Sequence, residues 1–181
     1  MRLYRDLTLG RRSPLVLLTV CLASLAGCDQ SPETAAPSPV AYGVKIGFGK
    51  NGEAAHFKTS GWQQAEDEFT WTDGTSAVLT MRVAPTAAPV TLKMTMAGMI
   101  KPPELVAQSV GVYVNEDKIA DWQVGDPALF TASIPGEVTR KGGTLHLLLE
   151  IPKATAPKQL GVSEDPRVLG VRVFDLELAA P

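Results

Sequence analysis

Ser76 to Val83 reads SAVLTMRV, and apolar side chains stand at every second position. Only extended backbone puts Ala77, Leu79, Met81 and Val83 on one face and Ser76, Thr80 and Arg82 on the other. The same period of two returns along the chain. Val90, Leu92, Met94 and Met96 alternate with Thr91, Lys93 and Thr95, and Val110, Val112 and Val114 alternate with Gly111, Tyr113 and Asn115. Leu145, Leu147, Leu149 and Ile151 alternate with His146, Leu148 and Glu150. Turn residues separate these runs: Asp73-Gly74, Asn115 to Lys118, and Gly142-Gly143. Asp73-Gly74 predicts a hairpin that joins Phe69–Trp71, with both aromatics on one face, to the strand that follows. In Leu169 to Leu178 the alternation slips near Val173-Phe174, which predicts a bulge. Tyr42–Phe48 and a short piece near His56–Lys58 complete the set, and Pro103–Gln108 has room for a turn or two of helix. The expectation is an all-β fold: an antiparallel β-sandwich of jelly-roll type, with about eight to nine strands.

The N-terminal region has a different character. Arg2, Arg5, Arg11 and Arg12 precede an apolar run from Pro14 to Ala26. A basic flank before a run this short predicts a secretory signal and not a bilayer span, which takes roughly 20 apolar residues. The run ends in Leu25-Ala26-Gly27-Cys28, which resembles the lipobox of bacterial lipoproteins at all four positions. The resemblance implies cleavage before Cys28 and acylation of its thiol and of the new amine. Two or three acyl chains anchor a protein stably where one does so only marginally. The alternative for Cys28 is a disulfide, for which Cys21 is the one other cysteine. Asp29 resembles the inner-membrane retention signal of enteric-type lipoproteins, so the periplasmic face of the inner membrane is favoured over the outer membrane.

The chain divides accordingly into a signal peptide at 1–27, a lipidated cysteine with a Pro/Ser/Ala-rich tether at 28–39, and a β-sandwich domain at 40–181. Without residues 1–27 it keeps 13 basic and 18 acidic side chains, a net charge of −5. Acids and bases are interspersed. No basic stripe exists to hold a nucleic acid.

Few residues carry chemistry by spacing. His56 and His146 are the only histidines, no metal-ligand spacing accompanies them, and no nucleophile-elbow pattern is present. No metal and no cofactor is expected. Glu137, Glu150, Glu164 and Asp165 supply carboxylates, but sequence does not pair them as a glycosidase requires. The inventory fits a binder better than a catalyst. Indole and phenol rings offer sugars a flat apolar face with a polar handle. Trp62, Trp71 and Trp122 are therefore either core rings or platforms. Trp62, in the polar stretch SGWQQ, is the first surface candidate, and Tyr113, opposite the valine face of its strand, is the second. Glu66-Asp67-Glu68 is either a solvated run or an oxygen donor set without the alternating spacing of a calcium loop. Arg167, after Asp165-Pro166, either pairs with Asp165 or clamps a ligand carboxylate.

The segments VNEDKIADW and KGGTLHLLLEIPKATAPKQLGVSEDPRVLGVRV resemble a domain of unknown function found in bacterial envelope proteins. Such domains are appended to membrane-bound transferases that modify envelope glycans. The resemblance spans roughly residues 43–178, with FTWTDG and the loop around Trp62 matching the front half. It implies a galactose-binding-like jelly roll and no established activity. The expected function is a membrane-anchored, periplasm-facing, non-catalytic lipoprotein module. It would bind an envelope glycan or a glycan-modifying partner, with Trp62, Tyr113 and Arg167 as the ligand-binding candidates. The alternatives are an interaction protein that docks on another envelope protein and, more remotely, a hydrolase.

Overall fold

The computed structural model describes residues 39–181. The expected signal segment, Cys28 and all but the last residue of the tether lie outside them. The described residues form two five-stranded antiparallel sheets packed face to face. Their ten strands are β1 (Lys45–Gly47), β2 (Lys58–Ser60), β3 (Thr70–Asp73), β4 (Ser76–Val83), β5 (Val90–Gly98), β6 (Gln108–Val114), β7 (Asp117–Val124), β8 (Ala128–Ile134), β9 (Gly143–Glu150) and β10 (Leu169–Ala179). The first sheet runs β1-β10-β5-β8, with β3 also on β10, and the second runs β2-β4-β9-β6-β7. From β3 to β10 the chain changes sheet at nearly every connection, which is the jelly-roll winding.

The periods read in the sequence become the core. Val90, Leu92, Met94 and Met96 meet Leu79, Met81, Leu145, Leu147 and Leu149 across the sandwich, and all are buried. Neither cysteine lies among the described residues, so no disulfide supports this packing there. Phe174 is the extra residue of a bulge in β10: Val173 faces Met96 and Asp175 faces Thr95. Asn115 and Glu116 both take positive φ, at 47° and 78°, in the two-residue loop that closes the β6–β7 hairpin.

Four expectations are corrected. Asp73-Gly74 does not close a hairpin. β3 pairs with β10 and β4 with β9, so this turn carries the chain from one sheet to the other, with Gly74 at φ 78°. A tight turn signal specifies reversal, not pairing. Pro103–Gln108 is not helical, and Gln108 begins β6. β1 is shorter than the Tyr42–Phe48 run, and His56 lies in a single 3-10 turn, Glu53–His56, ahead of β2. β8 was not foreseen. It places Leu129 and Phe130 side by side on opposite faces and only Ala132 and Ile134 in the core, so its period is masked.

Candidate functional site

β3 inverts the usual rule for a sandwich strand. Its threonines point in and its aromatics point out. Thr70 and Thr72 are 0% exposed. Burial of a hydroxyl is tolerated only with a partner, and both have one. Thr70 Oγ1 donates to the carbonyl of Phe48, and Thr72 Oγ1 accepts from the amide of Val171 at 3.0 Å. With the hydroxyls inside, Phe69 and Trp71 stand on the outer face, half-buried. Register sets Trp71 directly opposite Arg172 of β10. The β10 bulge adds Phe174 to the group.

The four side chains form one cluster. Phe69 meets Trp71 and Phe174 edge-on, with centroids 6.0 and 5.5 Å apart. The Arg172 guanidinium carbon lies 5.2 Å from the Phe69 centroid, 5.5 Å from Phe174 and 5.8 Å from Trp71. Such contacts contribute about 0.5–1 kcal/mol each at exposed sites. The Arg172 Nε is buried and has no hydrogen-bond acceptor among the described residues.

Phe69 also begins an adjoining cleft of about 660 Å³, lined by Lys50, Gln64 to Glu68, and Arg167. Its wall is a second, irregular hairpin. The amide of Asp73 donates to Gly61, that of Gln63 to Trp71, and that of Glu66 to Phe69. Gly61 permits this course: it takes φ 73°, and a Cβ there would overlap the Ser76 carbonyl. Most charges in the cleft are answered. Lys50 Nζ sits 2.7 Å from Asp67, and their hydrogen bond lowers the Asp67 pKa and raises that of Lys50. Arg167 Nε and Nη2 reach both Asp165 oxygens at 2.7–3.1 Å, and Nη1 faces Glu66 at 4.0 Å. The hydrogen bonds from Arg167 hold the Asp165 carboxyl below the usual aspartate range. Glu68 is exposed.

The three residues selected from sequence do not meet. Arg167 lines the cleft. Trp62 lines a separate one of about 300 Å³ with Lys58 to Gln63. It is half-buried, its Nε1 donates to the Val78 carbonyl at 2.9 Å, and its ring centroid lies 5.3 Å from that of buried Phe48. Tyr113 lies on the outer face of the other sheet, folded over Gly111, and donates to Glu150 Oε2 at 3.0 Å. That hydrogen bond raises its pKa. Trp122 is 7% exposed, with Nε1 donating to Thr131.

The remaining chemistry stays dispersed. Glu150 engages Tyr113, Glu164 pairs with Lys158, and Asp165 pairs with Arg167. His146 Nδ1 lies 3.1 Å from the Thr80 hydroxyl. Among the described residues no group of three His, Cys, Asp or Glu side chains converges as a metal site would require. Phe69, Arg172 and Phe174 were not singled out from the sequence, where Phe69 and Trp71 share one face and Trp71 reads as either a core ring or a platform. The usable signal was Arg172, which the β10 alternation places outside.

No protein-family model matches the sequence, and no curated protein matches it. Among solved structures the chain is similar to carbohydrate-binding module CBM36 in complex with calcium and xylotriose (8% identity, 75% of this chain and 99% of that one, TM-score 0.44). It is similar to the CBM36-1 domain of a multidomain xylanase from the hindgut metagenome of Trinervitermes trinervoides (8%, 76% and 97%, 0.46). It is also similar to CBM51 from Clostridium perfringens GH95 in complex with methyl-galactose (16%, 78% and 91%, 0.38). At these values the likeness transfers neither ligand nor site residue.

Proposed function

We propose that this chain is a non-catalytic module that binds a glycan of the bacterial cell envelope. Its binding surface is the outer face of β3 and β10 together with the cleft that Phe69 opens. One observation carries the reading: a strand that buries threonine and leaves phenylalanine and tryptophan outside, stacked on an arginine. Three half-buried rings around one arginine supply the two things a sugar needs. The rings cover the apolar C–H faces of a pyranose. Arg172 and the Gln64, Glu66 and Lys50 side chains of the cleft wall offer donors and acceptors to its hydroxyls. Dispersed carboxylates and histidines favour binding over hydrolysis.

The place of action is part of the proposal. The Leu25-Ala26-Gly27-Cys28 sequence supports lipid attachment at Cys28, and Asp29 supports the periplasmic face of the inner membrane. A lipid-held module of this kind would present a glycan to, or collect it from, an envelope glycan-modifying partner.

The full-length chain in detergent micelles, applied to an array of envelope polysaccharides, is expected to retain at least one polymer. Retention of none contradicts the glycan reading. The anchor is tested separately: wild-type protein should fractionate with membranes and Cys28→Ser with the soluble fraction. Equal release of both contradicts lipidation.

A further inference from the structure

The outward charges of β10 are unequally served. Asp175 faces Lys45 at 3.7 Å and accepts from Thr95 Oγ1 at 3.0 Å, and Glu177 pairs with Lys93 at 3.0 Å. Arg172 has neither an ion pair nor a hydrogen bond to another described residue, and its Nε is sealed against the rings without an acceptor. Three aromatic rings hold its guanidinium in place. A planar fork of donors immobilised in this way, with its charge unanswered, is complementary to a carboxylate, which it can take in bidentate fashion. Arg167 cannot serve in that role, since Asp165 already occupies its Nε and Nη2.

We infer that the glycan bound at this face is acidic, and that Arg172 is the residue that contacts its anionic group. This rests on the glycan reading above and narrows it to polymers carrying a carboxylate on the sugar ring. The pyranose lies over Trp71 and Phe69, and its carboxylate meets Arg172 from the solvent side. The acidic run at the cleft sets the direction. Lys50 answers Asp67 and Asp165 already engages Arg167, so Glu66 and exposed Glu68 repel a second anion, and the acidic group belongs at Arg172 with the neutral part of the chain toward the cleft. The net charge of −5 calculated without residues 1–27 repels acidic polymers at long range, so binding depends on this local contact and not on general attraction.

The test uses the full-length chain on an array that pairs uronate-containing polysaccharides with their carboxyl-reduced counterparts, compared across wild type, Arg172→Gln and Arg172→Lys. Wild type is expected to bind acidic members about tenfold tighter than their reduced partners, the scale of one charge-assisted contact. Arg172→Gln should erase that preference, so that acidic polymers bind no tighter than their reduced partners. Arg172→Lys should keep only part of it, because an ammonium neither forks nor stacks as a guanidinium does. Near-ultraviolet circular dichroism should report native packing in each variant. Equal binding to both members of a pair, or a preference that survives Arg172→Gln, overturns the acidic assignment and leaves glycan binding intact. Binding to no polymer overturns both.

Discussion

The outer faces of the two sheets are built from similar residues and organised in opposite ways. On the β4–β9–β6 face most polar side chains satisfy one another, although the Arg82 Nε, like that of Arg172, is buried without a hydrogen-bond acceptor among the described residues. Thr59 donates to Thr80, Thr80 meets His146, Asn115 accepts from the His146 amide, and Tyr113 donates to Glu150. On the β3–β10 face, Phe69, Trp71 and Phe174 surround an arginine that no described acid answers. The first face pairs most of its polar groups with one another. The second surrounds its arginine with aromatic rings, and the proposed glycan surface rests on that difference. The rings around Arg172, and not the missing acid alone, set the two faces apart.

Substitutions on the two faces should separate them. The largest effect is expected from Trp71→Ala, which should weaken glycan retention about tenfold or more, as loss of a central aromatic contact does. Tyr113→Ala should leave retention unchanged, and a loss equal to that of Trp71→Ala would erase the distinction between the faces. Next comes stability. Thr72→Val keeps shape but leaves the buried Val171 amide without its acceptor, which should cost about 1–3 kcal/mol in denaturant unfolding. Thr80→Val, on the exposed network, should stay within about 0.5 kcal/mol. Equal costs would mean that the inward threonines of β3 are not structural.

The smallest effect concerns acid. Arg167 depresses the Asp165 pKa, so this pair stabilises the loop ahead of β10 above the free aspartate value of about 3.9. That contribution is lost as pH falls through the lower folded value. Carboxyl NMR of Asp165 should show its midpoint rising toward the ordinary range in Arg167→Gln. An unchanged midpoint would remove Arg167 as the cause.

Most of the fold was legible because period-two burial leaves a direct trace. The inward residues of β4, β5, β6 and β9 are those the alternation names, and Phe174 sits where the phase slips. β8 was hidden because an edge strand buries little. Of the candidates named from the sequence, Arg167 lines the cleft but is paired with Asp165, the structural alternative read for it there. The aromatic cluster was not legible, for two physical reasons. Whether Phe69 and Trp71 face in or out depends on which strand pairs with β3, and Asp73-Gly74 suggests the wrong one. Burial of Thr70 and Thr72 depends on acceptors and donors at Phe48 and Val171, far away in sequence.

The three tryptophans offer the most direct test. The indole N–H of Trp62 is spent on Val78 and that of Trp122 on Thr131, while Trp71 stands on the outer face. Indole resonances followed by two-dimensional NMR during titration with a retained glycan should show Trp71 shifting and the other two nearly still. A Trp62 signal that moves while Trp71 stays fixed would place the glycan elsewhere and contradict the account.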